Sequence, residues 1–164
     1  LNPEKRPTHA IDPYIFSDLQ NIAPAAETIK RRFAALATPK EIKKSAFEDY
    51  DYLEIDSDPD WLVITVKHFG TQINFKCLVT LTTENQPAAR VICTLENRYA
   101  GPSKPLLLGI FELATNGITD LPGNERGEPS TLPADADRIL GYFLHKAHRA
   151  NATLYAEELG VPTA

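Results

Sequence analysis

The stretch WLVITVKHFGTQINFKCLVTLT, residues 61–82, decides how this chain folds. It holds two runs of strand-forming residues, Trp61–His68 and Thr71–Thr82, separated by Phe69-Gly70. A two-residue connection of this kind needs positive φ, which Gly70 supplies without steric cost. If residue 68 faces residue 71, then Val66 faces Ile73, Ile64 faces Phe75 and Leu62 faces Cys77. These last three pairs are apolar and share one side, so turn geometry and hydrophobic pattern agree on one register.

A third segment, Ala89–Asn97, continues the pattern through Ala89, Val91, Cys93 and Leu95. These odd positions match Ile73, Phe75, Cys77, Val79 and Leu81 when the connecting loop has an odd number of residues. A three-residue loop at Glu84-Asn85-Gln86 meets that condition and predicts Cys77 opposite Cys93 and Val79 opposite Val91. Both thiols are then buried and unbonded, with no metal-binding spacing around them.

Outward from this centre, Tyr50–Asp56 reads as the preceding strand and Leu106–Ala114, a nearly continuous apolar run after Pro105, as a following one. Residues 1–13 carry scattered prolines and charge and read as an extended arm ahead of one domain, 14–164. Ser17-Asp18-Leu19-Gln20 has capping-box spacing for a short helical turn. A helix is expected after Pro24, with Ala26, Ile29, Phe33 and Leu36 on one face and its end near Ala37. Thr38, Pro39 and Glu41 then start a second short helix reaching about Asp49. The Gly- and Pro-rich residues 115–132 form a long loop, of the kind used as a lid or binding loop. A long helix from about Pro133 closes the chain, its stripe running through Ala136, Leu140, Phe143, Ala147, Ala150 and Leu154 to a stop at Gly160. The expected fold is α+β: about five antiparallel strands in a meander, preceded by two short helices and closed by a long C-terminal helix.

At 164 residues, with 43% hydrophobic and 24% charged residues, the composition is that of a folded domain and excludes a disordered chain. The net charge of -5 argues against a general nucleic-acid binder, and the basic group Lys30, Arg31, Arg32, Lys40, Lys43 and Lys44 reads as an exposed helical surface. No apolar run is long enough to span a membrane, and the expected location is cytoplasmic.

Carboxylates crowd between Glu48 and Asp60, and Asp56-Ser57-Asp58-Pro59-Asp60 copies the opening of a calcium loop. The copy fails at Trp61, where the loop needs Gly, and at Lys67, where it needs Glu. His145 and His148 lie three apart on the last helix without an evident third ligand, so neither a metal nor a cofactor is expected. Nor is there a nucleotide-binding glycine motif or a recognisable nucleophile arrangement.

The face of the sheet opposite the core is the most informative surface. The hairpin register puts Trp61 opposite Leu78, and the next one puts Leu78 opposite Ile92, with Val63 alongside. An apolar cluster within a polar field is the composition of a contact surface. The expected function is a noncatalytic protein-interaction domain, self-associating as a homodimer through Trp61, Val63, Leu78 and Ile92. The alternative is a small-molecule binder or small enzyme with a cavity between sheet and last helix, where Tyr142, His145 or Tyr155 makes polar contacts.

Overall fold

The computed structural model describes residues 13–39, 53–96, 104–123 and 126–160. Its order is α1 (Pro13–Ala34) with a 3-10 turn at Ala35–Ala37, β1 (Leu53–Asp58), β2 (Val63–His68), β3 (Thr71–Leu81), β4 (Pro87–Leu95), β5 (Leu106–Leu113) and α2 (Ala136–Leu159). The five strands form a single antiparallel sheet in sequence order, the expected meander.

The β2–β3 hairpin has the predicted register, with Val66 opposite Ile73 and Ile64 opposite Phe75. Phe69 and Gly70 both take positive φ, 49° and 77°, as a tight turn of this twist requires. The β3–β4 register differs from expectation by two residues: Cys77 faces Val91, and Cys93 faces Phe75. The connection spans residues 82–86 rather than three, closed where Asn85 N donates to Thr82 O and Gln86 N to Thr82 Oγ1. A slip of two preserves side-chain parity, so both free cysteines remain on the core face.

The first of the two expected short helices is instead long: among the described residues one 22-residue helix, α1, precedes the sheet and runs through Pro24. Alanines 23, 25 and 26 flank this proline, and strong helix formers carry the chain past its one missing donor. The apolar stripe accordingly extends backward through Ile22, Leu19 and Ile15 at the same alternation of three and four. Its second half, Ile29, Phe33 and Leu36, is core, whereas Ile15 and Leu19 are exposed. The helix predicted beyond Pro39 and the first strand's start at Tyr50 lie outside the described residues, as does the arm before Pro13.

Both helices lie on the same face of the sheet. There Ile29, Phe33 and Leu36 meet Ile139, Leu140, Phe143 and the odd residues of β3 and β4 in one core. Phe143 is its centre, edge-on to Phe75 at 5.5 Å and stacked on Phe111 at 5.8 Å between ring centroids. The α2 stripe is wider than expected at its start, where Ile139 and Leu144 are also buried, and shallower later, where Ala150 and Leu154 are half-buried.

The segment after β5 folds back on itself instead of hanging free. Thr119 Oγ1 donates to Ser130 O at 2.7 Å, Ser130 Oγ to Pro122 O at 2.9 Å, and Leu132 N to Gly117 O at 2.9 Å. Arg32 of α1 fastens it to the core by donating to Thr115 O and Leu132 O.

Candidate functional site

The open face of the sheet is built by alternation. Because Ile64, Val66, Ile73, Phe75, Val91 and Cys93 point to the helices, their neighbours Val63, Thr65, Asn74, Lys76, Leu78, Arg90, Ile92 and Thr94 point away. Among the described residues no helix lies over this side. Leu78 is 39% exposed, Leu107 55% and Ile110 47%. Val63 and Ile92 are half-buried by their neighbours in the sheet.

Two of the expected juxtapositions change. Leu62 adopts positive φ, 51°, so β2 begins at Val63 and Trp61 stands in the preceding turn, 74% exposed. The ladder still reaches it indirectly, since Cys77 N donates to Leu62 O at 2.9 Å. The two-residue shift places Leu78 opposite Arg90 and gives Ile92 the neighbours Lys76 and Ile110. The apolar patch is therefore diagonal, and it gains Ile110 and Leu107 from β5, which the pairing of only three strands had left out.

Charges of both signs ring the patch. Lys67, Lys76 and Arg90 lie on the central strands, Arg90 reaching Glu112 at 3.4 Å, and Glu54 and Asp56 lie along β1. Asp58 Oδ1 accepts from the backbone of Asp60 and Trp61, which makes this end of the acidic run a turn. Among the described residues no group of three or more metal-binding side chains converges. Glu48, Asp49 and Asp51 lie outside the described residues, as do Lys40, Lys43 and Lys44.

The strand edges are blunted. On β5, Lys146 Nζ donates to Leu108 O at 2.8 Å and Asp120 Oδ1 accepts from Glu112 N at 2.8 Å, occupying groups that another strand would use. On β1, alternate carboxylates at positions 54, 56 and 58 oppose the approach of an identical edge.

Of the alternative ligand residues, only Tyr142 lines a described cleft. Tyr142 borders a cleft of about 150 Å³ with Leu121, Ser130, Arg138 and Ile139, whereas His145 and Tyr155 are exposed elsewhere on α2. Where α2 crosses the sheet the space is filled by Phe143. A wider cleft of about 290 Å³ is lined by Thr28, Arg31, Arg32 and Pro133.

Histidine chemistry occurs at a place the helical spacing did not indicate. His148 pairs with His68 across the fold, ring nitrogen to ring nitrogen at 2.8 Å, and not with His145. Its other nitrogen lies 3.3 Å from Oγ1 of buried Thr71, which accepts from Asn151 Nδ2 at 2.8 Å. Burial holds both imidazoles below their ordinary range, and the neighbouring histidine adds to this, His148 for His68 and His145 for His148. Burial pushes the Cys77 thiol up to about 11 and the Cys93 thiol higher, the opposite of a nucleophile's environment.

None of the described helices is long and apolar enough to cross a membrane. No known family, curated protein or solved structure matches the chain.

Proposed function

We propose that this protein is a noncatalytic interaction domain that self-associates through the open face of its sheet, with Trp61, Val63, Leu78 and Ile92 at the contact and Leu107 and Ile110 extending it. One observation carries the reading: large apolar side chains on adjacent strands stay in water while both helices serve the other face. Burying each such side chain contributes roughly 1.5–3 kcal/mol before the cost of association is subtracted. Charges of both signs stand around the patch, so opposite charges can meet across a contact between two copies. The blunted edges favour face-to-face contact over strand addition. Sedimentation velocity over a range of concentrations tests this. A dimer supports the reading, and a monomer at the highest concentration overturns it.

The cleft beside Tyr142 favours a second reading, a small ligand with an anionic group for Arg138 and an apolar body against Ile139 and Leu121. Native mass spectrometry separates the two, because retained small-molecule mass on a monomer supports only the second.

A further inference from the structure

The C-terminal part of α1 and the segment that leads into α2 leave a cleft of about 290 Å³ between them, lined by Thr28, Arg31, Arg32 and Pro133. Two guanidinium groups border this one space, since Arg31 and Arg32 are neighbours in the last turn of α1.

Arg32 is held in place from the folded loop. Its Nε donates to Thr115 O at 3.0 Å and its Nη1 to Leu132 O at 3.2 Å, and Gly117 lies so close that a Cβ there would stand 3.2 Å from Nη1. Both acceptors are neutral carbonyls, so the group is oriented without losing its charge. These bonds use two of the five N–H groups that a guanidinium carries, and Nη2 has no acceptor among the described residues.

Arg31 is exposed. Among the described residues no carboxylate forms an ion pair with either arginine, Glu27 one turn earlier included. Asp135, two residues past Pro133, is engaged instead with Thr131 N, from which its Oδ2 accepts at 2.8 Å. Thr28 Oγ1 donates to Pro24 O at 3.2 Å, a carbonyl that the helix ladder already uses, so the hydroxyl can turn to a ligand at little cost. Pro133 contributes an exposed apolar ring on the α2 side.

A flat carboxylate is satisfied by one arginine fork, whereas two positive charges and donors on three separate side chains suit a tetrahedral dianion. The volume is at the small end for ligand sites and leaves room for a carbon group beside the anion. We propose that this cleft binds a small phosphate monoester, its phosphoryl oxygens held by Arg31, Arg32 Nη2 and Thr28 and its carbon group laid against Pro133. The cleft is on the helical side of the sheet, so this reading stands apart from self-association through the open face.

Amide-detected NMR titration with phenyl phosphate, inorganic phosphate and benzoate tests the site in the unmodified protein, in Arg31→Gln, and in Arg149→Gln, which removes the same charge from an exposed position on α2. Phenyl phosphate should saturate with a Kd of about 1 mM or tighter and shift the amides of residues 28–32 and 115–117. Inorganic phosphate should shift the same amides with weaker affinity, and benzoate should bind more weakly than phenyl phosphate. Arg31→Gln should weaken phenyl phosphate at least about tenfold, and Arg149→Gln by less than about twofold. Failure to saturate by about 20 mM, shifts centred elsewhere, equal affinity for benzoate, or equal losses in the two variants overturns the proposal. If Arg31→Gln does not fold, the preference of the unmodified protein for phenyl phosphate over benzoate decides.

Discussion

The ring of Phe143 closes over Gly109 so tightly that a Cβ on this glycine would lie 3.1 Å from Phe143 Cε1. The ring cannot retreat, because Phe75 and Phe111 hold it from two sides. Gly109→Ala should therefore lower stability by about 1–3 kcal/mol through overpacking, and Phe143→Ala by about 3–5 kcal/mol through the cavity it leaves. Urea unfolding followed by circular dichroism measures both. Equal stability of Phe143→Ala and the unmodified protein would mean that α2 is not seated on this ring.

Two other glycines separate strain from collision. Gly117 and Gly127 both have positive φ, 90° and 75°, but a Cβ on Gly117 would lie 2.2 Å from Leu132 O, whereas one on Gly127 meets nothing within 4 Å. Alanine at 127 should cost about 1–2 kcal/mol for the backbone alone. Alanine at 117 should cost visibly more, and thermal melts of the two variants side by side compare them.

Arg32 connects α1 to the folded loop through two carbonyls, at 3.0 Å and 3.2 Å. Hydrogen bonds from a charged donor each contribute about 1.5–3 kcal/mol, so Arg32→Ala should destabilise by about 2–4 kcal/mol. Lysine lacks the planar fork and should restore only part of this. Limited proteolysis near residue 126 should accelerate in the alanine variant.

Leu78→Lys puts a charge in the middle of the apolar diagonal. It should convert a dimer to a folded monomer, seen as a halved mass in sedimentation with an unchanged far-ultraviolet spectrum. An unfolded variant would identify the patch as core.

The cysteines should resist thiol reagents in the native protein and react once urea exposes them. Their pH dependence has a definite sign. The unfolded chain loses its Cys77 proton near the ordinary value of 9.0 while the folded chain keeps it to about 11, so stability should decline as pH rises above 9.0. The depressed imidazoles act in the opposite direction: unfolded histidine binds protons below about 6.5 before the folded rings do, so stability should also decline as pH falls through that range.

Much of the sheet was legible because side-chain alternation and one tight turn constrain each other. Phe69-Gly70 left no freedom in the β2–β3 register. Between β3 and β4, parity admits loops of three or five residues equally, and only the Asn85 turn selects the longer, which moved Leu78 from Ile92 to Arg90. Pro24 concealed the first half of α1, since a proline suits a helix start, while the stripe through Ile22, Leu19 and Ile15 was the signal that the helix was already running. The histidine pair was missed by looking along α2 alone. His68 shares parity with Ile64 and Val66, which puts it on the core face, and the small residues around His148 leave room for a side chain from across the fold.

Lys146 and Asp120, seated on the outer backbone of β5, act as chain terminators for the sheet itself. Strands added edge to edge make an open polymer, each new copy presenting the same edge to the next, and the product is a fibre. Contact through a face related by a two-fold axis uses up the surface that made it and closes after two copies. With a lysine and a carboxylate occupying main-chain groups on β5, the proposed contact through the open face would be the finite one of these two.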